Sequence, residues 1–340
     1  MKKIKSFIKK IIPLRLTHVL SKEEIEKELI NKDFWNYENE PDDLKRKEEI
    51  LNLLRPCSKI LDIGACEGWI TKDLNAKEIH AIEISDLASS RFPNNIKRVT
   101  EPEGEYDIVI ATGVLYDHYD IKQIKKWIKQ AKPKTLLVAG IEGVLKNIFG
   151  KPTIEIKFPY RGMTQIIRVY ENMKILHNIG DKPTANYNTR EQIIKCKEPL
   201  SFDGIYLNVY ENRDILKNKD VLLFYSGNFL GGNNDFDVKN PFNGAIVYPE
   251  KFVTKTELDE LIASGCKIGW HTWSHPDLTK ISTEEAKKEI TPPFQMDDFA
   301  YPYGKYNEQI IKLVKEAGFK RGWSVEKTDG TQWTIPRTFI

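Results

Sequence analysis

The sequence is poor in cysteine. Cys57, Cys66, Cys196 and Cys266 are the only thiols in 340 residues, and they stand at no spacing that would build a disulfide framework or a cysteine-bound metal knot. A reducing compartment permits this pattern, so the expected location is cytoplasmic. Charge excess is lacking too: 52 Lys and Arg against 49 Asp and Glu leave a net charge of +3. That balance gives no electrostatic footprint for nucleic acid, no recognition motif accompanies it, and nucleic acid is not an expected partner. Nor does any stretch approach the roughly 20 apolar residues needed to cross a bilayer. What remains is a chain with 40% hydrophobic residues, long enough for two domains that each bury their own core.

The first twelve residues alternate lysines with Ile4, Phe7, Ile8, Ile11 and Ile12, which gathers the apolar side chains on one helical face. Lys9 and Lys10 interrupt the only candidate for a secretory leader. Two readings stand side by side: a weak anchor on an anionic membrane surface, where lipid-linked sugars are assembled, or a helix packed on its own domain. Ser21-Lys22-Glu23-Glu24 is a capping box. Pro41 opens a further helix in which Leu44, Ile50, Leu51 and Leu54 form a stripe.

From Leu61 to Thr71 the sequence reads as a buried strand, a tight turn with Gly64 and Gly68, and the first turn of a helix. A second apolar strand then ends at Glu83. This is half of a nucleotide-binding βαβ unit, in which the glycines let the backbone pass close to a ligand and an acid some twenty residues on accepts ribose hydroxyls. Cys66 stands where a dinucleotide site would want glycine. Glu67 puts negative charge where a phosphate would sit, so a cationic, phosphate-free nucleoside is favoured. The alternative is an ordinary strand-turn-helix. Further strands are expected up to Thr100-Glu101, over 106–113 and over 134–140, with a hairpin over 153–158 and 164–170.

On Asp33-Phe34-Trp35, Leu61 to Thr71, Ala81 to Ser85 and Asp107 to Tyr116, this half resembles the class I S-adenosylmethionine (SAM) methyltransferases, most closely the nodulation-type N-methyltransferases that act on chito-oligosaccharides. The resemblance implies a Rossmann-like α/β domain with SAM as cofactor. Asp62 and Gly64 would line its methionine part, Gly68 would let the backbone pass close to it, Glu83 would hold the ribose and Glu101 the adenine. The acceptor is expected beyond the fourth strand, at the carboxyl edge of the sheet. There His118 or Asp117 would remove a proton, and Tyr116 and Tyr119 would stack on a sugar ring. For Asp120 the preferred reading is an N-cap of the helix that follows.

Residues 173–199 are polar and aperiodic. The expected division is therefore a basic and a capped helix over 1–30, the methyltransferase domain over 31–176, a linker over 177–198 and a second domain over 199–340. That last domain has strands near Leu200–Asp203 and Val221–Tyr225, and a His271-Thr272-Trp273-Ser274-His275 run whose two histidines can face one metal. Its order resembles the NodB-homology polysaccharide deacetylases, which implies a short, distorted (β/α) barrel, a divalent metal such as zinc and an N-acetylated carbohydrate substrate. Carried over by position, Asp203 is the base, His271 and His275 are metal ligands, and Pro302 and Tyr303 shape the substrate groove. Three positions depart from the family. Gly204 replaces the metal-binding aspartate, Ala300 stands where many members carry arginine, and no histidine follows His275. Asp235 or Asp237 would then complete the metal, with Arg337 assisting. The expected whole is a bifunctional, carbohydrate-modifying enzyme of surface polysaccharide biosynthesis. The alternatives are a methyltransferase with a non-catalytic glycan-binding module, and an active deacetylase whose SAM domain only binds.

Overall fold

The computed structural model describes residues 19–33, 36–182, 187–235, 238, 248–325, 328 and 330–340. The lysine-rich segment over 1–12, Phe34, Trp35 and Asp237 lie outside the described residues. The chain divides into two compact units, residues 1–151 with 157–169 and residues 152–156 with 170–340. No helix among the described residues is long and apolar enough to cross a membrane.

The first unit is built on a seven-stranded sheet. Its strands are β1 (Cys57–Ile63), β2 (Ala76–Ile82), β3 (Lys97–Arg98), β4 (Ile108–Thr112), β5 (Thr135–Ile141), β6 (Ile154–Tyr160) and β7 (Met163–Glu171), in the order β3-β2-β1-β4-β5-β7-β6. The central strands are near-continuous apolar runs because a parallel sheet is covered on both faces. Ile108 to Ala111 are all buried. In register, Ile63 lies opposite both Ile82 and Ala111, and Thr112 opposite Ala139. The strands therefore end level and deliver Gly64, Glu83 and Gly113 to one edge. Strand order reverses between β1 and β4, the place where open α/β sheets take their ligands.

Helix α1 (Lys22–Glu28) starts at the expected capping box, with Ser21 Oγ accepting the Glu24 N–H and Glu24 Oε2 accepting the Ser21 N–H. In α2 (Pro41–Leu53) the buried stripe is Asp43, Ile50 and Leu53, while Leu44 faces solvent. A polar residue thus occupies the phase that the sequence reading gave to Leu44. The helix expected after β1 is reduced to one 3-10 turn, Thr71–Asp73, because only twelve residues separate β1 from β2. Glu67 is therefore not at a helix N-terminus. Its carboxylate pairs with Arg91 and accepts the Asp33 N–H. The remaining helices are α3 (Asp86–Ser89) and α4 (Ile121–Ala131), the latter capped by Asp120, whose carboxylate accepts the Gln123 N–H at 2.9 Å as expected.

The second unit is a closed barrel of seven parallel strands. It contains β8 (Lys174–Leu176), the short pair β9 (Asn178–Ile179) and β10 (Tyr187–Asn188), then β11 (Leu200–Asp203), β12 (Val221–Tyr225), β13 (Lys267–Trp270), β14 (Asp298–Ala300), β15 (Arg321–Val325) and β16 (Ile335–Phe339). Helices α5 (Arg190–Lys195), α6 (Leu207–Glu211), α7 (Lys255–Ala263), α8 (Thr283–Ile290) and α9 (Glu308–Glu316) alternate with them. Strand β8 pairs with both β11 and β16 and so closes the barrel. Residues 174–176 thus belong to the barrel, not to the first domain as the sequence division had it, and the stretch read as linker carries β9 and α5. Three residues are too few to display a period.

Phe202, Trp270, Phe299 and Trp323 are buried on the barrel strands. Among them, Asp298 takes two hydrogen bonds from Arg321, at 2.6 and 2.7 Å, and one from the Trp323 indole at 2.7 Å. Asp298→Ala would remove the carboxylate that both hydrogen-bonds and neutralises the buried Arg321, leaving it Asp297 at 3.9 Å, and is expected to destabilise the barrel by about 3–5 kcal/mol. The urea midpoint followed by tryptophan fluorescence measures it. A loss under about 1 kcal/mol, the level of a surface pair, would contradict the assignment.

Candidate functional site

In the first unit a cavity of about 450 Å³ opens at the carboxyl edge of the sheet. Asp62 and Glu83, from adjacent strands, both line it. Asp62 is buried. Its Oδ2 accepts the Thr71 hydroxyl at 2.5 Å, and its Oδ1 has no partner among the described residues. Burial pushes this carboxyl up to about 7, against the Thr71 hydrogen bond, which pulls it down. A desolvated, half-satisfied carboxylate on a cavity wall is stabilised by a cationic ligand group. Glu83 is also raised by burial, and its oxygens accept the Ser85 N–H at 2.9 Å and the Cys66 N–H at 2.8 Å. These two donors fix the carboxylate while each oxygen keeps a lone pair for a ligand hydroxyl. The donor set therefore fits the amino and ribose groups of SAM.

The glycines play a different part from the one expected. Gly64 lines the cavity at φ +77, but an added Cβ would overlap the Val114 side chain, so the turn and its packing require glycine there. Gly68, at φ +75, packs against Ile96 and does not line the cavity. Glu101 is exposed and outside it. Of the acceptor cluster, Tyr116, His118, Tyr119 and Asp120 line the cavity, and the His118 and Tyr119 rings lie 4.4 Å apart. Burial lowers the His118 pKa, partly offset by Asp117, so its imidazole is neutral at pH 7. Asp117 itself is exposed and ion-paired with Lys146 at 2.8 Å, which removes it from the cavity as a base.

Sequence reasoning missed a polar wall contributed by α2 and the β6–β7 hairpin. Asp43 accepts the Tyr160 hydroxyl at 2.7 Å and two donors of Arg161. Arg46 lines the cavity with its guanidinium 5.4 Å from the Tyr37 and Tyr160 ring centres and its Nε buried without a partner. The available signal was charge at the core-facing phase of α2, positions 43 and 46.

In the second unit Asp203 ends β11 and receives both terminal nitrogens of Arg337, at 2.5 and 2.9 Å. Arg337 comes from β16, the last strand. The barrel thus has a buried arginine beside Asp203 although position 300 is alanine. Burial alone would raise the Asp203 carboxyl, but Arg337 and His271 bring it down to about 2. His271 Nδ1–H donates to the Ala300 carbonyl at 2.8 Å, which leaves Nε2 3.8 Å from Asp203 Oδ2. Glu289 holds the loop between the histidines, accepting from the Trp273 N–H and from both the N–H and hydroxyl of Ser274. The His275 ring lies 4.7 Å from His271 and 4.6 Å from Tyr303, and burial pushes its pKa down to about 3. Pro302 and Tyr303 form a 3-10 turn directly after β14. A third histidine, His177, follows β8, with its Nδ1 buried and unpartnered. It went unread because its stretch looked like linker.

The expected metal ligands are not all brought together: the His271 and His275 rings meet at the rim, and the Nδ1 of His275 is buried with no partner among the described residues. Among the described residues no three His, Cys, Asp or Glu side chains are gathered to hold an ion. Asp235 is exposed, and Asp237 lies outside the described residues. Asp203, 3.8 Å from His271 Nε2, already carries a guanidinium on both oxygens, and that cation opposes a second. Gly204, at φ +64, has the Phe252 ring 3.4 Å from where a Cβ would stand.

Residues 200–322 match the polysaccharide deacetylase family. An uncharacterized 30.6 kDa protein of Geobacillus stearothermophilus is 26% identical over 145 residues, 38% of this chain and 47% of that protein. The peptidoglycan-N-acetylglucosamine deacetylase PgdA of Listeria monocytogenes is 33% identical over 95 residues, 25% of this chain and 19% of PgdA. The chain spans less than half the length of each of these two relatives. Among solved structures, the N-methyltransferase NodS of Bradyrhizobium japonicum with S-adenosyl-L-homocysteine is 18% identical, covering 44% of this chain and 97% of NodS at a TM-score of 0.39. The family match thus lies in the second half of the chain.

The full chain is expected to take up zinc, manganese, cobalt and nickel no better than a variant with both His271 and His275 replaced by alanine. Calorimetric titration makes that comparison. Stoichiometric binding that is lost with the two histidines would refute it.

Proposed function

We propose that the first unit is a SAM-dependent methyltransferase acting on a sugar, and that the barrel is a deacetylase-type module that engages the carbohydrate without a metal centre. The observation that carries the first half is the unpartnered Oδ1 of Asp62 on the cavity wall. Bound SAM would supply an electrophilic methyl group on a permanent cation. Asp62 offers its amino group a charge-assisted acceptor. Glu83 accepts from the ribose hydroxyls. The neutral imidazole of His118 takes the proton of an acceptor hydroxyl or amine at a ring nitrogen, and holding that group in line contributes most of the acceleration.

For the barrel, the pairing of Asp203 with Arg337 and the missing carboxylate at Gly204 favour sugar binding over hydrolysis. The second reading, hydrolysis of an N-acetyl group, draws on Asp203, His271 and His275 standing together at the barrel rim. The two activities would suit one surface glycan, since deacetylation exposes an amine that a methyl group can then occupy.

Asp62 ionises only above about pH 7 in the free protein, so protons compete with the cationic ligand below that pH. SAM affinity measured by calorimetry on the full chain is therefore expected to fall about tenfold per pH unit below pH 7. Asp62→Asn should remove that slope, and Glu83→Ala should weaken binding by about 1.5–3 kcal/mol. Unchanged affinity and slope in Asp62→Asn would sink the assignment.

A further inference from the structure

Gln165 is 1% exposed and lines the cavity of the first unit, yet among the described residues neither its Oε1 nor its Nε2 has a hydrogen-bond partner. A buried amide normally satisfies both atoms, and one left open weakens the fold that holds it. Gln165 lies on β7, whose residues alternate across the sheet. Met163 and Gln165 share one face, and both line the cavity together with Tyr160 from the partner strand of the hairpin.

Strand order decides which ligand this amide faces. A molecule held by Asp62 on β1 and Glu83 on β2 extends from β1 toward β2. Gln165 lies in the other direction, three strands from β1 through β4 and β5. At about 4.8 Å per strand that is roughly 14 Å from the strand of Asp62. The Glu142 N–H bonds the Thr164 carbonyl at 2.9 Å, so the start of β7 stands beside the end of β5, on the same carboxyl edge. Tyr116 reaches this place from the loop after β4, its hydroxyl accepting the Ile141 N–H at 3.0 Å. Gln165 therefore serves a second molecule, next to His118 and Tyr116.

Building on the methyltransferase reading, we propose that Gln165 is the specificity-determining contact for the methyl acceptor. Its Nε2 donates to one ring substituent and its Oε1 accepts from the neighbouring one. The acceptor is then a sugar with adjacent groups of which one accepts and one donates, a vicinal diol or a hydroxyl beside an amine. A carboxamide reads such a pair with both atoms, and an apolar side chain of the same size reads neither.

The test uses the full chain with SAM, and as probes glucosamine, its β-1,4-linked tetramer and the 3-deoxy analogue of glucosamine. Three quantities are read: thermal midpoint, SAM affinity, and sugar binding and methylation by mass spectrometry. Gln165→Met is expected to raise the thermal midpoint, leave SAM affinity unchanged, and weaken binding of the hydroxylated probes by about tenfold or more. The wild type should prefer glucosamine to its 3-deoxy analogue by a similar factor, and Gln165→Met should lose that preference. Gln165→Glu, which keeps the acceptor atoms and removes the donor, should fall between the two. A drop in SAM affinity with Gln165→Met would place Gln165 in the cofactor site and overturn the proposal. A lowered midpoint with unaltered sugar binding would overturn it in favour of a structural water. SAM-loaded wild type that binds none of the probes also overturns it. Wild type that fails to bind SAM refutes the underlying methyltransferase reading instead.

Discussion

A carboxylate taken out of water has to find donors or positive charge, and the two units are organised by how four buried aspartates meet that demand. Asp43 meets it with Tyr160 and Arg161, Asp298 with Arg321 and Trp323, and Asp203 with Arg337. Each of these three is answered from within the chain, and each ties elements together: α2 to the β6–β7 hairpin, β14 to β15, β11 to β16. Among the described residues, Asp62 alone of the four keeps an oxygen without a partner. The difference marks where a ligand belongs, since the same cost that makes three of these sites structural makes the fourth receptive.

The same reasoning separates the barrel from the chemistry that its histidines suggest. A site can present imidazoles and an aspartate in family order and still be a poor cation trap if its carboxylate has already been spent on a guanidinium. At this rim the guanidinium arrives from the strand that closes the barrel, and the position next to Asp203 offers only a glycine.

Much of this was legible in the chain because it is local. Long apolar runs announced β1, β4 and β5, Ser21 and Glu24 announced a helix start, and Asp62 and Glu83 stood at the ends of consecutive strands. The unread parts depend on partners far apart in sequence. Arg337 meets Asp203 across 134 positions and Tyr160 meets Asp43 across 117, and neither pairing leaves a periodic trace. Strand β8 was too short to show a pattern, and His177 vanished with it. Gln165 reads as one polar residue in an alternating hairpin, and only burial without a partner sets it apart. Local pattern also misled at Leu44, where the apolar residue faces solvent and its polar neighbour the core.

The closure of the barrel through β8 bears on the order in which the chain matures during synthesis. Strand β8 precedes the other barrel strands, yet one of its two neighbours is β16, and Lys174 pairs with Thr338. The sheet of the first unit needs nothing beyond β7. At about 5–20 residues per second, the polypeptide from β7 to β16 takes on the order of ten to thirty seconds to emerge. Over that interval a finished nucleotide-type sheet coexists with an open, curling run of parallel strands whose two edges are still unpaired. A nascent edge of that kind is what holdase chaperones protect. The vulnerable stage of biogenesis is therefore the interval before β16 emerges, in the half that closes on its own first strand.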